Sequence, residues 1–283
     1  MPPLAGAAVP LATRIIPADG RRLPVIGLGT WQTFDVGADS GARDRLGRLL
    51  ARFAELGGEV VDSSPMYGSA ESVVGDLVSE RQLRSRLFFA TKVWTDGKAA
   101  GIAQMEESLR RLRAPRIELM QIHNLQDWRQ HLPMLRAWKA EGRIRYLGIS
   151  HYHPGAYAEI EEILRHEPLD FLQINYSLAE QAAAKRLLPL AAERGVAVIA
   201  NRPFAAGALF GATKDKTLPA AAADHGCRSW AQLFLRWILA HPAVTCAIPA
   251  SNKLEHLEDN MVAGLGPLPD LAAQKALAQM AGF

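Results

Sequence analysis

Short runs of β-branched and other apolar residues recur along the chain, and each is followed by a segment whose apolar positions repeat every three to four residues. A period of two marks a strand and a period of 3.6 marks a helix with one buried face, so this alternation predicts repeated βα units. Eight core strands are expected, at Val25–Gly29, Glu59–Ser63, Leu87–Val93, Ile117–His123, Tyr146–Ser150, Phe171–Tyr176, Val196–Asn201 and Thr245–Pro249. Between them, Val73, Val74, Leu77 and Val78 form one helical stripe. Ile102, Met105, Leu109 and Leu112 form a second, and Trp230, Leu233, Phe234, Trp237 and Ile238 a third. Ser69 is the expected N-cap of the first of these helices, and Gly142 and Gly195 stand where helices should stop. Ahead of the first strand, Asp19-Gly20 within Pro17–Arg22 predicts a hairpin turn.

Parallel strands separated by helices either close into a barrel or stay open as a doubly wound sheet. An open dinucleotide fold should carry an early glycine fingerprint. Gly27 and Gly29 supply a G-x-G, but no helix follows at once and no third glycine completes it. The expected fold is therefore a (β/α)8 TIM barrel with an N-terminal β-hairpin, and 283 residues suffice for one such domain of about 250. Residues 13–283 are assigned to it. Residues 1–12, rich in Ala and Pro, are expected to be a flexible tail or the remnant of a trimmed export signal. The expected location is cytoplasmic, or periplasmic if the tail is such a remnant.

Composition narrows the partners. A hydrophobic content of 49% with 22% charged residues is that of a chain able to bury a large core. Lys plus Arg exceed Asp plus Glu by only 32 to 29, too few for a nucleic-acid or anionic-membrane surface. No stretch approaches the roughly 18 consecutive apolar residues of a membrane span. Cys227 and Cys246 lack metal-type spacing and are expected to be small buried side chains. A monomer acting on a small molecule is the expectation.

In a barrel, reactive groups sit where strands end at the carboxyl face, because the loops there converge on one cleft. These ends and their loops carry Asp62, Tyr67, Lys92 and His123: an acid, a phenol, an amine and an imidazole. Each alone has an ordinary structural explanation, as a cap, a packed ring, a snorkelling cation or a satisfied core histidine. Together they form a set that can transfer a proton.

The segment VDSSPMYG (Val61–Gly68) with its aspartate and tyrosine, ATKVW (Ala90–Trp94), QIH (Gln121–His123) and IGLGTW (Ile26–Trp31) resembles the aldo-keto reductase family. The resemblance runs from about Leu23 to Asn260. It implies a catalytic tetrad of Asp62, Tyr67, Lys92 and His123 and reduction of carbonyls to alcohols. Adding hydride to a carbonyl carbon generates an alkoxide, so a proton donor is needed at that oxygen. A free phenol, with pKa about 10, is a sluggish donor. A neighbouring ammonium should lower that pKa, and a carboxylate should keep the ammonium charged, which are the roles expected of Lys92 and Asp62. A neutral His123 could hydrogen-bond the substrate oxygen.

Side chains supply no hydride, so a cofactor is required, and the resemblance implies NADPH. It assigns Ser150 and Gln173 to the nicotinamide carboxamide, with His151 standing where the family has asparagine. At Ala200–Phe210 the family carries an aromatic that stacks on the nicotinamide; here Asn201 and Arg202 occupy that stretch, and the Arg202 plane is the expected substitute. Gly207 and Leu209 match the loop over the pyrophosphate. In IPASNKLEHLEDN, Ser251 and Lys253 precede an expected amphipathic helix of Leu254, Leu257 and Met261, and a helix N-terminus beside a lysine suits the 2′-phosphate of NADPH. Asn260 matches the family's adenine contact, while Ala250 and His256 stand where many members have lysine and arginine. Trp31, Trp94, Tyr152 and the Asn124–Trp128 segment could line a substrate pocket, or equally pack elsewhere.

Two other readings use the same barrel. One is a nicotinamide-binding sensor with little turnover, since fold does not fix function. The other, an aldolase using Lys92 as a Schiff base, is disfavoured because Asp62 would keep that amine protonated.

Overall fold

A computed structural model describes residues 9–283. Strands Thr13–Ile15 (β1) and Arg22–Pro24 (β2) pair antiparallel around a turn in which Gly20 takes φ +77°, the conformation its Asp-Gly pair predicts. The chain then enters Leu28–Gly29 (β3) and alternates between strand and helix: Ser40–Glu55 (α1), Val60–Asp62 (β4), Ala70–Glu80 (α2), Phe88–Val93 (β5) and Lys98–Arg111 (α3). Ile117–His123 (β6), Trp128–Ala140 (α4), Ile144–Ser150 (β7), Tyr157–His166 (α5), Phe171–Asn175 (β8) and Leu187–Glu193 (α6) follow. Ala197–Asn201 (β9), Ala208–Thr213 (α7), Trp230–Leu239 (α8), Val244–Ala247 (β10), Leu254–Val262 (α9) and Leu271–Ala281 (α10) complete the order.

Strands β3 to β10 form one eight-stranded sheet, parallel throughout and in sequence order. Its two ends meet. Gly27 N donates to Ala247 O at 2.8 Å, Ala247 N to Val25 O at 2.9 Å, and Gly29 N to Pro249 O at 3.1 Å, which closes the barrel. The G-x-G belongs to this seam: a Cβ at Gly27 would lie 2.9 Å from Val60 Cβ, so only glycine lets β3 pass so close to its neighbours.

Alternation along each strand separates two environments. Outward residues such as Phe89, Met120, Leu147 and Leu172 pack with the helix stripes, including Val73, Met105 and Leu233, in the larger core. Inward residues fill the lower barrel, where Phe88, Tyr146 and Phe171 lie against one another with centroids 5.4 to 6.1 Å apart. The hairpin covers this floor with Ile16 and Leu23, and Asp19 accepts a 2.6 Å hydrogen bond from Tyr146 Oη. Water is thus kept from the interior on the amino side.

Several local expectations change. Ser69 makes no side-chain cap to α2; its hydroxyl instead donates to Asp35 at 2.8 Å and accepts from Gly37 N, so loop contacts outcompete the cap. Leu254 is 41% exposed, and the buried face of α9 is Leu257, Asn260 and Met261. Gly142 and Gly195 do follow helix ends, with φ +75° and +65°. Both cysteines are buried and unpaired. Of the expected tail, residues 1–8 lie outside the described residues, whereas Leu11 pairs with Leu265 and Ala12 N donates to Gly264 O. Among the described residues, no helix is long and apolar enough to cross a membrane.

Candidate active site

The register explains why residues distant in sequence meet. Parallel pairing sets Lys92 beside Gln121, His123 beside Ser150, and Ser150 beside Gln173. Lys92, His123 and Ser150 lie at or beside the carboxyl ends of their strands and Gln121 and Gln173 two residues before the ends of theirs, all at positions that alternate inward with the floor residues, so they form a polar layer above an apolar one. Lys92 is fully buried and Asp62 is 3% exposed. Lys92 Nζ donates to Asp62 Oδ2 at 2.8 Å and to Ser63 O at 2.7 Å. The same ammonium lies 5.2 Å from the centre of the Tyr67 ring, and the Tyr67 and His123 rings meet edge to face at 6.3 Å. Asp62, Tyr67, Lys92 and His123 thus form one contiguous cluster.

Charge in this layer is balanced locally. Burial works against the Lys92 ammonium, but Asp62 and Tyr67 outweigh it and its pKa stands above the ordinary lysine value. His123 is pushed down to about 3, by burial first and then by Lys92 and His151, so its ring is neutral at any ordinary pH. Tyr67 departs from expectation. Burial first, with the Asp62 charge adding to it, raises its pKa against the lowering effect of Lys92, so the phenol is held protonated rather than made acidic.

Asp62 has a second oxygen to satisfy. Gln173 Nε2 donates to Oδ1 at 2.7 Å, and Gln121 Nε2 lies 3.4 Å from the same atom. Ser150 Oγ donates to Gln173 Oε1 at 3.1 Å and lies 3.5 Å from His123 Nδ1. Gln121 received no role from the sequence, although it stands two residues before His123 and so on the same strand face. Glu71 was also missed: buried in α2, it accepts a 2.6 Å hydrogen bond from Thr91 Oγ1 behind the Lys92 strand, and burial raises its pKa.

The residues expected to hold a cofactor lie on the next loops round the rim. His151 stacks on Tyr152 at 5.7 Å, and the Arg202 guanidinium lies 5.6 Å over that Tyr152 ring. Asn201 Nδ2 donates to His151 O at 3.0 Å and so ties the two departures from the family pattern together. Asn201 Oδ1 is buried and finds no hydrogen-bond partner among the described residues. Arg202 and Gly207 take φ +50° and +92°, and a Cβ at Gly207 would meet no atom within 4 Å, so this backbone is open to close approach. Leu209 directs its side chain into the core. Ser251 Oγ accepts from Lys253 N at 3.1 Å and donates to Lys253 O at 3.0 Å, at the start of α9, while Lys253 itself is exposed and Asn260 is buried two turns on. Open backbone, exposed lysine, helix N-terminus and carboxamide donors together match the groups of a dinucleotide phosphate and amide. Trp31, Trp94 and Tyr152 are 45%, 39% and 47% exposed on three rim loops.

The family model for the Aldo/keto reductase family matches residues 25–275. The methylglyoxal reductase YeaE of Escherichia coli is 30% identical over 246 residues, covering 84% of this chain and 84% of that protein. An aldo-keto reductase of Klebsiella pneumoniae solved in complex with NADPH superposes with a TM-score of 0.80 at 28% identity, covering 97% of this chain and 95% of that one. A second Klebsiella pneumoniae structure, with NADP and acetate, gives 0.77 at 29% identity, with 92% and 93% covered.

Proposed function

Starting from the fact that this chain belongs to the aldo-keto reductase family, we propose that it reduces aldehyde or ketone carbonyls, with hydride from NADPH and a proton from Tyr67. The observation that carries this reading is the buried Lys92–Asp62 pair beneath the Tyr67 ring. Bound nicotinamide would supply the hydride; every other step falls to the protein. Tyr67, kept protonated by burial, delivers its proton as negative charge grows on the carbonyl oxygen. Lys92 is the cation that stabilises the tyrosinate left behind, and Asp62 holds it in place. Neutral His123 stands beside the phenol to hydrogen-bond the substrate oxygen. An amine held charged in this way is a poor Schiff-base nucleophile, which argues against aldolase chemistry.

Ser150, His151, Gln173 and Arg202 are the proposed contacts at the nicotinamide end, Gly207 and Leu209 at the pyrophosphate, and Ser251, Lys253 and Asn260 at the adenosine phosphate. The exposed aromatics Trp31, Trp94 and Tyr152 are the proposed substrate walls. Because YeaE is a methylglyoxal reductase, a small 2-oxoaldehyde is the first substrate to test, followed by a panel of aldehydes and ketones. The expected result is consumption of NADPH, read by its absorbance; none with any carbonyl would overturn the proposal.

The pH dependence follows from the two shifted groups. A donor works in its protonated form, present below its pKa, and burial moves the Tyr67 value upward from about 10. His123, down at about 3, never charges in the working range. We therefore expect kcat/KM for the carbonyl to be flat from about pH 5 to 9 and to fall only at more alkaline pH. A limb centred near pH 6.5, the ordinary histidine value, would refute the neutral imidazole.

Lys253→Ala tests the phosphate site. Loss of one charge-assisted hydrogen bond of about 1.5–3 kcal/mol should weaken NADPH about tenfold to a hundredfold and leave NADH nearly unchanged. Equal losses in titrations with both nucleotides would remove Lys253 from the 2′-phosphate.

A further inference from the structure

We propose that Asp35 is a positioning residue for Tyr67: from the loop that follows β3, it clamps the far end of the segment on which the proton donor stands. Tyr67 lies in residues 63–69, which form no regular structure between β4 and α2. Inside that segment Tyr67 N donates to Ser64 O at 3.0 Å, and Ala70 N donates to Tyr67 O at 3.1 Å. A second loop, residues 30–39 between β3 and α1, grips it at both ends. Thr30 N and Oγ1 donate to Asp62 O at 3.0 and 2.9 Å. At the other end Asp35 Oδ1 accepts from Ser69 N and from Ser69 Oγ, each at 2.8 Å, and Gly37 N donates to that hydroxyl at 2.9 Å. Phe34, fully buried, roots the loop between the two grips.

Asp35 lies directly against the donor's neighbour. Gly68 takes φ +59°, and a Cβ there would lie 2.3 Å from Asp35 Oδ2, so only glycine lets the carboxylate cross the backbone one residue from Tyr67. The carboxylate also faces the positive, amino end of α2, whose own N-cap Ser69 makes no side-chain cap. Its pKa is held below the ordinary aspartate value, by the Ser69 N–H first and the Ser69 hydroxyl second, so the clamp stays charged at any ordinary pH. Asp35 is exposed, and among the described residues its side chain hydrogen-bonds to Ser69 alone. Its removal opens no cavity and leaves no buried charge; what changes is where the segment carrying Tyr67 sits. A displacement of about 1 Å at a reacting group can cost about a hundredfold in rate. Trp31, a proposed substrate wall, stands on the same loop, so one element sets the spacing of wall and donor.

The inference rests on Tyr67 as the donor and is tested with Asp35→Ala, which removes the clamp, and Asp35→Asn, which keeps an acceptor oxygen for Ser69. Single-turnover reduction at saturating NADPH should slow by about tenfold to a hundredfold in Asp35→Ala, with KM for the carbonyl and the affinity for NADPH within about twofold of the parent. Asp35→Asn should stay within about threefold of the parent rate. Fluorine NMR of protein labelled with fluorotyrosine reads the ring itself, its Tyr67 line assigned by its loss in Tyr67→Phe. That line should shift or broaden in Asp35→Ala and return to its place in Asp35→Asn. A parent rate or a parent Tyr67 line in folded Asp35→Ala overturns the proposal, as does a rise in KM without a fall in rate, or an Asp35→Asn variant as slow as Asp35→Ala. The fluorine line separates this inference from the reductase reading: a Tyr67 ring released by Asp35→Ala in a protein that reduced no carbonyl would leave the clamp standing and remove the reductase.

Discussion

Tyr67→Phe should lower kcat for carbonyl reduction by about 10²- to 10⁴-fold, the range a positioned general acid supplies, while the affinity for NADPH stays within about twofold. The substitution removes one oxygen from a ring that otherwise keeps its place against His123 and above Lys92. The loss should thus appear in turnover and not in folding or binding. Single-turnover kinetics with saturating NADPH would measure it, and nucleotide titration supplies the control. A fully active variant would mean that another group, or water, protonates the oxygen.

The second large effect concerns stability as well as rate. Lys92→Met leaves Asp62 buried at 3% exposure with two carboxamides but no cation. Breaking a buried pair from one side costs about 3–5 kcal/mol, because the remaining charge stays desolvated. The expectation is a fall of that size in denaturant unfolding free energy, together with loss of turnover. Removing the charge from both sides, in Asp62→Leu with Lys92→Met, should restore most of the stability and none of the activity. If the single variant unfolded at the parent denaturant concentration, the pair would not be the electrostatic centre of the site.

Most of the architecture was legible because the two periods are strong. All eight expected strands overlap observed ones, with boundaries moved by at most three residues, such as the start of β3 at Leu28 and not Val25 and the extension of β7 back to Ile144. That Asp62, Tyr67, Lys92 and His123 would meet was legible because polar strand ends in this fold gather at one end of the barrel. What was not legible depended on competition between interactions. Ser69 has the sequence of a cap, yet its hydroxyl is taken by Asp35 and Gly37. Leu254 fits a helical stripe but falls on the solvent side of α9. Proximity to Lys92 suggested an acidic Tyr67, whereas the depth of its pocket, a three-dimensional quantity, reverses the sign. Gln121 stands two residues before His123, so strand alternation puts it on the same inward face, where it reaches Asp62.

The barrel seam carries a consequence for how the molecule is made. Val25–Gly29 and Ala247–Ala250 are more than two hundred residues apart, and they cannot meet each other until the strands between them have been ordered. Contacts of such long sequence separation form late and slowly, so a nascent, incompletely closed sheet presents two unsatisfied strand edges to other copies of itself. Weakening the seam would therefore show first as aggregation during synthesis, in protein whose surviving native fraction works at full speed.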